Sequence, residues 1–74
     1  MYTIYKYHDY RNPIHVDGGQ TREQVIRALI AHGLYDPRGS INDMTLAPLP
    51  RFGRELHIDR PLYDPRGSII IRHV

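Results

Sequence analysis

The sequence predicts an α+β fold: a single small domain, residues 1–74, in which one α-helix packs on a mainly antiparallel sheet of about three to five strands. Three observations carry that reading. Residues 21–32 place apolar side chains at helical spacing between a start signal and a stop signal. Segments near both ends of the chain alternate with the period of a strand. One turn-forming octapeptide also occurs twice, letter for letter: Leu34-Tyr35-Asp36-Pro37-Arg38-Gly39-Ser40-Ile41 and Leu62-Tyr63-Asp64-Pro65-Arg66-Gly67-Ser68-Ile69.

In chain order, residues 2–10 read as a first strand rich in Tyr, Thr and Ile. Thr3, Tyr5 and Tyr7 share one side, and Tyr2, Ile4, Lys6 and His8 the other. Neither side is purely polar, so this strand is expected to be central or covered on one face by a partner. Asn12-Pro13 breaks it. Ile14-His15-Val16 can pair back as a short second strand, with Asp17-Gly18-Gly19 as the turn that closes it. The helix follows, from about residue 21 to 32. Thr21 and Gln24 form a capping box, and Val25, Ile26, Leu29 and Ile30 form the apolar stripe. Gly33 is the left-handed terminator, with Leu34 folding back on Leu29. Arg22, Glu23 and Arg27 fall outside the stripe and should be wet.

Residues 41–47 carry a weak strand pattern through Met44 and Leu46. Pro48-Leu49-Pro50 then stops regular pairing, and residues 48–53 read as an extended loop. Within it, Leu49 and the lone phenylalanine, Phe52, either tuck onto the core, as is usual in a small domain, or are offered to a partner. Residues 54–60 alternate, with Leu56 and Ile58 inward and Glu55, His57 and Asp59 outward. Three consecutive isoleucines, Ile69, Ile70 and Ile71, make the last strand apolar on both faces and therefore central or covered. Residues 54–74 form a C-terminal β-hairpin with a long connection. One helix does not cover such a sheet on both faces, which points to a homodimer or a standing protein partner.

The physics of the repeat is that of a turn. Asp, Pro and Gly at the first, second and fourth turn positions fit type I, and the flanking Leu-Tyr and Ser-Ile suit extended segments. As a functional element, Arg38 and Arg66 would form two like contacts to carboxylates or other anions. The plainer account is two ordinary turns with exposed arginines.

Composition narrows the function classes. The chain has no cysteine, which removes disulfides and thiolate metal sites and fits a reducing, cytoplasmic compartment. No apolar run is long enough to span a membrane. Net charge is +2, yet all basic residues other than Lys6 are arginine, the better donor for bidentate contacts. A chain this small, lacking a nucleophile elbow, a phosphate loop or paired carboxylates, reads as a non-enzymatic protein without cofactor.

The reading that fits best is a protein-binding module of accessory, adaptor or inhibitor type. It would act by occupying a partner's surface, the general character of small inhibitors made by phages and mobile elements. Tyr and Arg are enriched at contact hot spots, so the candidate contacts are Tyr35, Arg38, Tyr63, Arg66, Arg51, Phe52, Tyr5 and Tyr7. The alternative is nucleic-acid binding by an Arg/Tyr face of the C-terminal hairpin, where Arg51, Arg54, Arg60, Arg66 and Arg72 cluster in sequence. A third reading rests on a repeated apolar-His-apolar-Asp pattern. If those strands were neighbours, His15, Asp17, His57 and Asp59 would make a metal cluster, and a metal-binding homodimer would follow.

Overall fold

The computed structural model describes residues 1–8, 12–35 and 48–74. It contains strand β1 (Tyr2–Tyr7), strand β2 (Ile14–Gly19), helix α1 (Arg22–Ala31), strand β3 (Glu55–Ile58) and strand β4 (Ser68–His73). The strands form one antiparallel sheet in the order β2-β1-β4-β3. The expected α+β domain with a paired C-terminal β3–β4 hairpin is therefore what the chain builds. The expected strand over residues 41–47, and the first copy of the turn from Asp36 on, lie outside the described residues.

The helix covers one face. Ile4 of β1, Ile58 of β3, and Ile69 and Ile71 of β4 meet Val25, Ala28 and Leu29 of α1, with Leu34 closing the cluster. Tyr2, Val16, Tyr35, Leu49 and Leu56 pack around it. The buried helix line is Val25, Ala28 and Leu29, whereas Ile26 is half-buried and Ile30 exposed. Their spacing of three and four residues is one helix face, and the short Ala28 side chain lets that face sit close to the sheet. The stripe thus lies one step round from the expected Val25-Ile26-Leu29-Ile30 line.

Both helix ends are as the sequence reads. Thr21 Oγ1 accepts from the Gln24 amide, and Gln24 Oε1 accepts from the Thr21 and Gln20 amides. At the other end the Gly33 amide donates to Ile30 O and the Leu34 amide to Leu29 O, at 3.0 and 2.8 Å. This is a Schellman motif that drives Leu34 into the core at 1% exposure.

Strand β2 departs from expectation. Gly18 and Gly19 do not form a turn; they continue the strand opposite Thr3 and Tyr2, past an irregularity in the register at Ile4/Tyr5. The reason is space. A Cβ on Gly18 would lie 2.5 Å from the Tyr2 carbonyl oxygen, and one on Gly19 would lie 2.8 Å from Gln24 Cβ. The strand and the helix start can approach only because both residues lack a side chain.

Gly18→Ala should therefore pry β2 from β1 and destabilise the domain by more than ~1 kcal/mol. Thr21→Ala should cost about 1 kcal/mol through the lost cap alone. Urea denaturation of the two variants tests this, and equal midpoints for Gly18→Ala and the parent would refute the close-approach account.

Candidate functional site

Three surfaces carry the chemistry that the sequence advertises, and they do not coincide. The first is the long β3–β4 connection. Its tip consists of two consecutive turns: the Asp64 amide donates to Pro61 O at 2.9 Å, and the Gly67 amide donates to Asp64 O at 3.1 Å. The second of these is the expected Asp-Pro-Arg-Gly turn. The first is a departure, because Leu62 and Tyr63, expected in an extended segment, stand at the centre of a turn and are 84% and 88% exposed. Leu62 is the site residue that the sequence reading missed; Pro61 just before it, which has no N–H to continue a strand ladder, was the available signal.

Arg66 does not reach outward as a free anion contact. Its guanidinium folds back on Asp64, with Nη2 to Oδ2 at 2.7 Å and Nε to Oδ1 at 3.0 Å, while its own amide donates to the same Oδ1. The Arg66 side-chain and backbone donors hold the Asp64 carboxyl far below the usual carboxylate range. The base of the tip is also fixed. Arg60 donates from Nη1 to Gly67 O at 2.8 Å and from Nη2 to Leu34 O at 2.6 Å. The Arg60 amide donates to Ser68 Oγ at 2.8 Å, so the one serine of the second repeat serves the backbone. Tyr7, buried, spans β4 to donate its hydroxyl to Asp59 at 2.6 Å.

The second surface is the sheet face away from the helix. The register lines up His15, Tyr5, Ile70 and His57 across all four strands, with Thr3, Arg72 and Glu55 as the next row. The Arg72 guanidinium lies 4.8 Å from the Tyr5 ring centroid, and the His15 ring meets Tyr5 edge-on at 5.6 Å. Glu55 accepts from Arg72 and lies 3.2 Å from His57 Nε2. Its carboxyl is accordingly held below the usual range, chiefly by Arg72.

The third surface is the opposite end of the sheet. Arg51-Phe52-Gly53-Arg54 form a turn closed by the Arg54 amide on Arg51 O at 2.9 Å. Gly53, third in the turn, has φ +79°, which an L side chain rarely adopts. Gly53 N donates to His73 O and His73 N donates to Arg54 O, which ties the turn to the end of β4. Phe52 is 76% exposed, against the expected core position; the turn and its bonds to His73 aim it outward, while Leu49 takes the core contact.

The expected contact residues are therefore distributed. Tyr35 is half-buried on the core, Arg38 lies outside the described residues, and Tyr63 and Arg66 sit at one end of the sheet. Arg51 and Phe52 sit at the other end, roughly 20 Å away along a six-residue strand. Tyr5 lies mid-face and Tyr7 is buried. Arg60, Arg66 and Arg72 do not stand free on the hairpin: each is engaged within the chain, Arg72 over the Tyr5 ring as well as on Glu55. His15-x-Asp17 and His57-x-Asp59 are not neighbours either: β2 and β3 are the two sheet edges, about 14 Å apart at a typical strand spacing. Asp17 instead accepts from the Gly18 amide at 2.7 Å and faces His32 Nε2 at 3.1 Å, with its carboxyl lowered mainly by that amide. Among the described residues no group of three His, Cys, Asp or Glu side chains converges, and no helix is long and apolar enough to cross a membrane.

Comparison of the chain with protein-family models, with curated proteins and with solved structures finds no match.

Acid should act on this surface through the lowered carboxylates. A folded pKa below the unfolded value means stability that is complete above the ordinary value of 3.8 and lost as pH falls beneath it. Asp64→Asn should lower the melting temperature at neutral pH and flatten the decline below about pH 4. Thermal scans of both proteins across pH check this; parallel curves would show that the Asp64–Arg66 pair contributes nothing.

Proposed function

We propose that the protein is a non-enzymatic protein-binding module that inserts the Leu62–Tyr63 turn tip into a concave apolar pocket on a partner protein. One observation carries the reading. An aliphatic and an aromatic side chain stand almost fully in water at the centre of a turn that one backbone hydrogen bond closes and a second hydrogen-bonded turn follows.

The energetics favour such a tip. Fully desolvating a large apolar side chain is worth about 1.5–3 kcal/mol, and ordering a side chain at an interface costs about 0.5–1.5 kcal/mol. The backbone of this tip is already ordered, by the two turns and by Arg60 at its base. Aromatic anchors seated in a pocket are the residues on which binding energy concentrates. The neighbouring Asp64–Arg66 pair is satisfied internally, so it serves as a polar rim rather than a grip. An adaptor or inhibitor works by this kind of occupancy and needs no reaction chemistry.

A photo-reactive phenylalanine placed at position 63, and in a control at the exposed helix position Glu23, tests the proposal in cells of the source. Position 63 should yield a discrete cross-linked protein that excess unlabelled protein competes away. Leu62→Ser/Tyr63→Ser should fail to compete, with its melting temperature unchanged, since neither side chain touches the core. Equal cross-linking from position 23, or full competition by the double variant, would refute the tip as the binding element.

A further inference from the structure

We infer that the Arg51–Arg54 turn, at the end of the sheet opposite the Leu62–Tyr63 tip, is a binding site for single-stranded nucleic acid. Phe52 would stack on a base while Arg51 and Arg54 hold the adjoining phosphates. The inference is independent of the protein-binding proposal, since it uses other residues on another surface.

Four observations converge there. Phe52 meets the His73 ring at an interplanar angle of 76° with centroids 5.6 Å apart, and its 76% exposure leaves a flat ring face open to solvent. The ring is backed by a second layer, because His73 stacks on Tyr2 with centroids at 4.3 Å and Nδ1 lies 3.0 Å from Pro50 O. An aromatic platform held in this way is what base stacking requires, and stacking tolerates any base.

The flanking charges are the third observation. Arg60, Arg66 and Arg72 are engaged by Leu34 O and Gly67 O, by Asp64, and by Glu55. Among the described residues the guanidiniums of Arg51 and Arg54 make no hydrogen bond or ion pair, and both residues are exposed. Two uncommitted guanidiniums at the first and fourth positions of the turn that carries the exposed ring suit the alternation of phosphate and base along a single strand.

The fourth is room. A hollow of about 300 Å³ runs beside the turn, lined by Gly53, Arg54, Glu55, Arg72, His73 and Val74. Apart from its chain neighbours, no atom of the described residues lies within 4 Å of where a Cβ on Gly53 would stand, so the strand can approach the turn's backbone. Among the described lining residues Glu55 is the one with a carboxylate side chain, and Arg72 already donates to it. A duplex fits the arrangement poorly, because its bases are not available to a single protruding ring.

Fluorescence anisotropy with labelled oligouridylate and oligothymidylate of about 12 nucleotides tests the site. Binding should weaken from about 50 to 200 mM salt with a log–log slope near −1.4, for two phosphates. Arg51→Gln and Arg54→Gln should each bring the slope toward about −0.7. Phe52→Leu, which keeps bulk without a flat face, should lose about tenfold in affinity with the slope unchanged, and Phe52→Trp should bind at least as well as the parent. Leu62→Ser/Tyr63→Ser should bind like the parent. An unlabelled duplex and a polyglutamate peptide are the competitors. Absence of binding at the low-salt end, unchanged affinity in Phe52→Leu, or a polyglutamate peptide competing as well as the oligonucleotide would overturn the inference; the last result would assign the turn to an acidic protein segment.

Discussion

Burial of three consecutive isoleucines in the central strand β4 is the constraint on which the structure rests. One helix can cover one face of a four-stranded sheet. Ile69 and Ile71 take that face and vanish beneath Val25, Ala28 and Leu29. Ile70 points the other way and is still only 8% exposed. Its neighbours on that face are long side chains of the sheet itself. Tyr5 and His57 flank Ile70 in its row, and Arg72 lies over the Tyr5 ring while bonded to Glu55. Long amphipathic side chains can shield apolar surface with their stems while keeping polar ends wet.

The helix and its ends were legible because every signal there is local. A capping box, a stripe and a glycine terminator act within a few residues of one another, and no distant element overrides them. The central placement of β1 and β4 was legible for a related reason, since apolar residues on both faces of a strand demand neighbours. What the chain concealed was the fate of identical letters in different settings. Leu34 is drawn inward because it follows Gly33 in a Schellman motif, and Tyr35 leans on the core beside it. Leu62 follows Pro61 at the end of an edge strand and is turned outward. Nothing in the octapeptide encodes that difference. The context does, through one glycine and one proline.

The arginines show the same limit more sharply. Their clustering in the last third of the sequence invited one basic surface. In the fold, three of the five spend their donors on the chain itself: Arg60 on two carbonyls, Arg66 within its turn, and Arg72 on Glu55 and Tyr5. Sequence proximity says which charges are near along the chain, not which carbonyl or carboxylate will reach them first. Phe52 was misplaced by a sound general rule, that the lone phenylalanine of a small domain belongs to its core. The rule failed because Gly53 at positive φ and two backbone bonds to His73 set the direction of the turn before packing could choose.

The two copies of the octapeptide are joined physically as well as by identity of sequence. A single guanidinium, that of Arg60, bonds Leu34 O in the first copy and Gly67 O in the second. Leu34, buried in the core, thereby serves as the reference against which the exposed tip is held. A tip attached only through its strand ends would swing, and binding would have to order it at a cost of about 0.5–1.5 kcal/mol for each immobilised side chain on top of the backbone. A tip clamped to the core presents Leu62 and Tyr63 in one orientation before any partner arrives. The same dipeptide that stabilises the fold at position 34 can then contribute comparable apolar burial to an interface at position 62. Exposure at the second site is the condition for that use, since a side chain already buried has no hydrophobic surface left to offer.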